Sequence, residues 1–189
     1  MSSAPNVPSH PLLARVLPDL DRIEPRARAA VAGISDAHFR ARPPEGGWSM
    51  AEIFEHLCVS DGGYVDGRIP TALAKARSRG HQSRPHRPSF FGGMLARMLD
   101  EANTKKLPAP RIYRQFTAVR PDVVEQYLAA TRRLREQLLA ADGLDLGTGL
   151  SSLISPLVRL NLGDVFVILV THAHRHLGQV ERTRRAVGA

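Results

Sequence analysis

The stretch Asn161-Leu162-Gly163-Asp164-Val165-Phe166-Val167-Ile168-Leu169-Val170-Thr171-His172-Ala173-His174-Arg175-His176-Leu177-Gly178-Gln179 reads as the first turns of a long helix that carries two histidines on one face. Asn161 can accept a hydrogen bond from the first free N–H groups, and Asp164 lies favourably in the first turn, where the helix dipole is positive. His172 and His176 stand four residues apart, so their side chains differ by roughly 40° around the axis and one turn along it, and both can point at one metal ion. His174 lies roughly 200° from His172 and is expected to face solvent. The helix is expected to extend to about Arg185.

Working outward from this helix, Pro121 suits a first turn and Gly143 a stop, with Val124, Tyr127, Leu128, Leu134, Leu138 and Leu139 at helical spacing between them. Upstream, Ser49 with Glu52 three residues later matches a capping box, which starts a helix bearing Ile53, Phe54, Leu57 and Cys58 on its apolar face, with His56 close to that face. It can run on to about residue 77, with a bend or break expected at Gly62, Gly63, Gly67 and Pro70. A first amphipathic helix is read over residues 12–34, kinked at Pro18 or Pro25 and stopped at Gly33. Between these, residues 35–47 form a linker whose Arg42-Pro43-Pro44-Glu45-Gly46-Gly47 stretch reads as a surface turn. Residues 78–120 are rich in Pro, Arg, Gly and His and form a long crossover with a short helix over about 90–102. No strand with convincing alternation is found. The fold class expected is all-α: a four-helix bundle in one domain over residues 1–189, with a flexible stretch over about residues 1–11. The long connection implies an up-up-down-down crossover topology.

At 189 residues with 43% apolar and 23% charged side chains, the chain suits a single globular domain. The lone Cys58 excludes an intramolecular disulfide, and prolines interrupt the N-terminal stretch where a signal peptide would need an apolar run, so a cytoplasmic location is expected. The apolar run over residues 165–170 is far too short to span a bilayer, and no membrane partner is expected. Of the net charge of +8, residues 68–120 contribute +10, with 12 Lys and Arg against 2 Asp and Glu. Its field could attract phosphates, anionic substrates or nucleic acid, but the segment has no recognisable nucleic-acid motif and reads first as a solvated, arginine-rich connection, with nucleic acid not expected as a partner.

If the helix of His56 adjoins that of His172 and His176, three imidazoles look into the bundle, and a divalent ion held by them keeps a position open for water or substrate. Arg175 and Gln179 lie within about a turn of a ligand and could orient substrate or support a ligand. Glu52 could act as a base, although its capping duty explains it without catalysis. Trp48 reads as a core anchor at the helix entrance, Cys58 as a small buried residue, and Asp61, Tyr64 and Asp66 as residues near the site that spacing does not single out. His10, His38, His81 and His86 are assigned no role.

The run Arg42-Pro43-Pro44-Glu45-Gly46-Gly47-Trp48-Ser49-Met50-Ala51-Glu52-Ile53-Phe54-Glu55-His56-Leu57 resembles the turn and second-helix motif of the DinB/YfiT-like superfamily. Leu162-Gly163-Asp164, then His172 with Arg175-His176-Leu177-Gly178-Gln179 and Glu181-Arg182, is similar to that family's last helix, and Leu107-Pro108-Ala109-Pro110 to its approach to helix 3. The resemblance implies that His56, His172 and His176 hold a divalent metal such as zinc or nickel. It implies further an enzyme that activates a low-molecular-weight thiol or water, of the thiol S-transferase or hydrolase type. The alternative is a non-catalytic protein of the same fold that binds metal or a small molecule in the stress response. Bundles with exposed apolar helix faces often form dimers, so a homodimer is among the forms expected.

Overall fold

Helix starts are set by side chains that accept otherwise unpaired N–H groups. In the computed structural model, which describes residues 7–80, 84–103, 119–155 and 157–189, His10 caps α1 (Pro11–Asp21) with its Nδ1 accepting from Leu12 N. Residues 107–110 and His81 lie outside the described residues. A break at Arg22 separates α1 from α2 (Ile23–Val31), and Pro25 takes the third position of α2, where its missing N–H costs no intrahelical bond. Pro18 sits inside α1 on its exposed side. The two segments together make the first helical column.

The linker after α2 differs from the reading as loop: Ser35 caps a short helix, α3 (Asp36–Arg40), by accepting from His38 N. Gly46 and Gly47 then turn the chain with φ of 84° and 115°, a region that side chains with a Cβ disfavour. Ser49 and Glu52 form the expected capping box of α4 (Met50–Gly63). The second column continues through a single π turn (Tyr64–Arg68) into α5 (Ile69–Arg77), so it changes winding near the glycines without ending. The crossover carries α6 (Phe90–Met98), shorter than expected. The third column is α7 (Val123–Ala140), and Gly143, with φ of 79°, follows its end. The fourth is α8 (Leu162–Ala186), opened by a reciprocal Asn161–Asp164 capping box.

Between α7 and α8 the loop contains a small antiparallel hairpin, β1 (Gly149–Ser151) and β2 (Arg159–Asn161), with Leu150 opposite Leu160. The fold is therefore mostly helical with one small sheet, a correction to the reading without strands. Strands of three residues are too short to display alternation, and only the buried Leu150 and Leu160 mark them.

Cross-column bonds give the direction of each column. Arg135 reaches Asp21 at 2.7 Å, Arg132 reaches Glu24 at 2.7 Å and Arg28 reaches Glu125 at 2.8 Å, so α7 runs against the first column. Asp19 O meets His174, Arg26 meets Glu181 and Ala29 O meets Arg184, so α8 runs with it. Glu55 pairs with Arg120, just before α7, and Asp66, on the π turn, pairs with Arg133, so the second and third columns are parallel. The order is thus up, down, down, up, which corrects the expected up-up-down-down arrangement. The crossover does join two parallel columns, but they are the second and third, while α3 and the glycine turn reverse the chain between the first and second. α4 packs on α7 and α8, and the first column packs on the same two. Phe54, Leu128 and Phe166 lie fully buried among them. No described helix is long and apolar enough to cross a membrane.

Candidate metal centre

The packing of α4 on α8 brings His56 to His172 and His176. One ring nitrogen of each lies within 4.8 Å of the others, and His56 Nε2 stands 3.3 Å from His172 Nε2. Two nitrogens held at about 2.0–2.1 Å by a tetrahedral ion are themselves about 3.3 Å apart, so this pair is spaced as two ligands would be. The ring centroids are 4.5 to 5.2 Å apart and the planes are steeply inclined to one another, which lets three edges converge.

Hydrogen bonds at Nδ1 of two rings fix which nitrogen carries the lone pair. His172 Nδ1 lies 3.1 Å from Asp61 Oδ1, and a carboxylate accepts only from an N–H, so in neutral His172 the lone pair is on Nε2. His176 Nδ1 lies 3.0 Å from Gln179 Oε1, which places its lone pair on Nε2 as well. Burial first, then the neighbouring His172 and His56, holds His176 well below the ordinary imidazole pKa, so it stays in the neutral form that binds metal. His56 is 3% exposed. The Nε2 lone pairs of His172 and His176, with a third imidazole beside them, form a donor set suited to a divalent cation.

Asp61 and Trp48 complete the surroundings. Asp61 is 6% exposed, and its Oδ1 also accepts from Ser60 Oγ at 2.9 Å, so the carboxylate is held in place before it reaches His172. A carboxylate beyond a candidate ligand on the same helix was the available signal for it. Trp48, expected as a core anchor, is half-buried with its ring 4.8 Å from His56 and 6.4 Å from His176, forming an aromatic wall.

The remaining expected residues have the following partners. Gln179 supports His176. Arg175 donates to Asp100 O at 3.1 Å and to Asn103 O, which ties the segment after α6 to α8. Glu52 accepts from Ser49 N at 2.9 Å and pairs with Arg42. Burial alone would raise its pKa, but Arg42 and Ser49 bring it below the ordinary range. Cys58 donates to Val123 O, and burial pushes its thiol up to about 12, so it is an inert packing residue. His174 is not a solvent residue: Nε2 meets Asp19 O at 2.9 Å and Nδ1 meets Arg26 at 3.2 Å, because the first column covers that face of α8. His10 and His86 also bear structure, the former as a cap and the latter 2.9 Å from Asn161 Oδ1. His38 sits on the Ser35 cap of α3.

Searches of curated proteins and of solved structures found no match to the chain. A family model described as the DinB superfamily matches residues 19–180, which run from the end of α1 into α8 and include all three histidines. The three-histidine group on α4 and α8 lies inside that match, and the chain belongs to the DinB superfamily.

Proposed function

We propose that His56, His172 and His176 hold one divalent metal ion, zinc or nickel, and that the protein is a cytoplasmic enzyme of the thiol S-transferase type built on a DinB-type four-helix bundle. The observation that carries this reading is the convergence of three ring nitrogens within 4.8 Å, two of them fixed as lone pairs by Asp61 and Gln179. When bound, such an ion lowers the pKa of a thiol or water at its open position.

The chain's own residues favour the thiol over water. Hydrolysis benefits from a carboxylate able to take a proton, and the carboxylates on α4 nearest the cluster are engaged: Glu52 by Arg42 and Ser49, Glu55 by Arg120, and Asp61 by His172 and Ser60. A thiol, more acidic than water, does not need such a base. Trp48 excludes water from one side of the imidazoles and offers an aromatic face to an apolar part of a small-molecule substrate. Asp61 and Gln179 hold two rings in orientation.

Elemental analysis of protein prepared without a polyhistidine tag, beside His56→Ala, His172→Ala and His176→Ala, tests the site. The wild type is expected to carry about one ion per chain and each variant to lose it. Unchanged metal content in all three variants would sink the assignment. Turnover with a panel of low-molecular-weight thiols and electrophilic acceptors tests the reaction, and bound metal without turnover on thiols, esters or amides would move the reading to a non-catalytic binding protein.

A further inference from the structure

α6 has two unlike faces. On one, Gly92 lies so close to the Asp164 carboxylate that a Cβ would collide with it, while Leu95, Ala96 and Leu99 pack partly buried against the core. Ser89 caps the helix and donates to Asp164 from its own backbone at 3.2 Å, so α6 is seated on the start of α8. On the other face Phe90, Met94 and Met98 recur at every fourth position with relative exposures of 80%, 38% and 38%, and Phe91 beside them is at 38%. The hairpin that abuts α6 carries Leu157 at 87% and Ile154 at 51% before β2. Most of the large apolar side chains exposed among the described residues lie in these two adjoining segments. The four side chains on α6 lie on consecutive turns of one helix face, and exposure of that kind marks an interaction surface.

Charge identifies the partner. Residues 68–99 contain 7 Lys and Arg and no Asp or Glu. Arg84, Arg87 and Arg97 are exposed around α6, and Arg159 is exposed on the adjoining strand. Arg84 and Arg87 have backbone carbonyls pinned by His10 and Asn161, so their side chains extend from an anchored stretch. No carboxylate is paired with any of the four among the described residues, and Glu101, just beyond α6, is taken by Arg26. Two copies meeting on this face would oppose the same arginines to each other, which disfavours self-association. Nucleic acid would meet the arginines but leave the methionines without apolar cover.

We infer that the exposed face of α6 binds a surface of anionic phospholipid, its Phe and Met side chains entering the headgroup boundary and its arginines meeting lipid phosphates. A convex stripe of large apolar side chains rimmed by cations is what an interfacial helix presents to such a surface. This is attachment at the surface without a spanning segment, and the expectation of no membrane partner rested on the lack of a span. The face is separate from the three histidines, so the inference does not depend on the metal site.

The test is co-sedimentation of the full-length protein with vesicles of phosphatidylcholine alone and of phosphatidylcholine mixed with phosphatidylglycerol. Binding is expected only to the anionic vesicles, weakening as salt is raised. The exposed double substitution Phe90→Ser with Met94→Ser, and separately Arg87→Gln with Arg97→Gln, should each weaken binding by at least about tenfold. Metal content and thermal midpoint should stay at wild-type values, which confirms that both variants fold. Absence of binding to anionic vesicles overturns the inference, as does binding that survives loss of Phe90 and Met94. Two other results would also overturn it: a dimer that these substitutions convert to monomer, or nucleic-acid binding that they abolish, in either case without vesicle binding.

Discussion

Asp61→Asn keeps the size of the side chain beside His172 and keeps an oxygen that can accept from Nδ1, but it removes the negative charge. In the wild type the Nδ1 to Oδ1 distance is 3.1 Å, and the carboxylate is 6% exposed, so little water screens it. A hydrogen bond to a charged acceptor contributes about 1.5–3 kcal/mol against about 0.5–1.5 for a neutral one. The difference, about 1–1.5 kcal/mol, corresponds to about a tenfold weaker metal complex. That falls at the lower end of the roughly 10–100-fold seen when supporting partners of metal-bound histidines are replaced. Asp61→Ala removes the acceptor altogether, leaves Ser60 Oγ without that partner as well, and should approach the upper end. Competition for zinc against a chromophoric chelator, on tag-free protein, reads the dissociation constant directly. The same substitution placed in a His172→Ala background supplies the cycle: with the ring gone, Asp61 has no ligand to orient and its effect should vanish. A dissociation constant within about twofold of wild type for Asp61→Asn, or an equal loss with and without His172, would refute the reasoning.

Other predictions concern stability. In the metal-free protein His176 is held below the ordinary value of 6.5 by burial and by His172 and His56, so the unfolded chain takes up this proton first. Stability is then full above about pH 6.5 and falls as pH drops toward the folded value, by at most about 1.4 kcal/mol per pH unit. Urea unfolding at stepped pH should show this slope, His176→Gln should reduce it, and an identical slope in both proteins would contradict the assignment. Gly92→Ala forces the Asp164 carboxylate from its capping position or lifts α6 off α8, and should cost about 1–3 kcal/mol; an unchanged thermal midpoint would show that the contact is looser than described. Ser49→Ala removes one half of the α4 capping box and should cost about 1 kcal/mol in denaturant unfolding, with zinc affinity affected less than by Asp61→Asn.

Features of the fold that depend on local chemistry were legible in the sequence. The Ser49–Glu52 and Asn161–Asp164 boxes each satisfy their own N–H groups within four residues, so the starts of α4 and α8 follow from spacing alone. The break near Pro25 is local in the same sense. Column direction is different, because it depends on what residues 32–49 do with a chain that composition describes only as a turn. Ser35 caps α3, but a helix of five residues has too few positions to show a period, so the sequence there reads as a linker. The π turn likewise leaves no periodic mark, although it keeps Tyr64 buried with its hydroxyl accepting from Leu153 N at 3.1 Å.

The candidate site divides along the same line. His172 and His176 share a helix, and a spacing of four residues puts them on one face wherever that helix lies. His56 is 116 residues from His172, and its place in the cluster depends on α4 packing against α8, which the family motifs implied and spacing alone did not. Spacing leaves Asp61 unassigned because its function arises from that packing: in the second column it is one carboxylate among Glu52, Glu55 and Asp66, and only the approach of α8 gives it an imidazole to hold. Glu52 has the mirror-image history, since its four-residue offset from His56 suggested a base, yet Ser49 N and Arg42 claim both oxygens. Residues that bind metal have a chemical identity that sequence displays, whereas residues that orient them are ordinary carboxylates and amides until the tertiary contact forms. Double-mutant coupling between Asp61 and His172 therefore tests the contact that sequence could not supply, and elemental analysis tests the triad that it did.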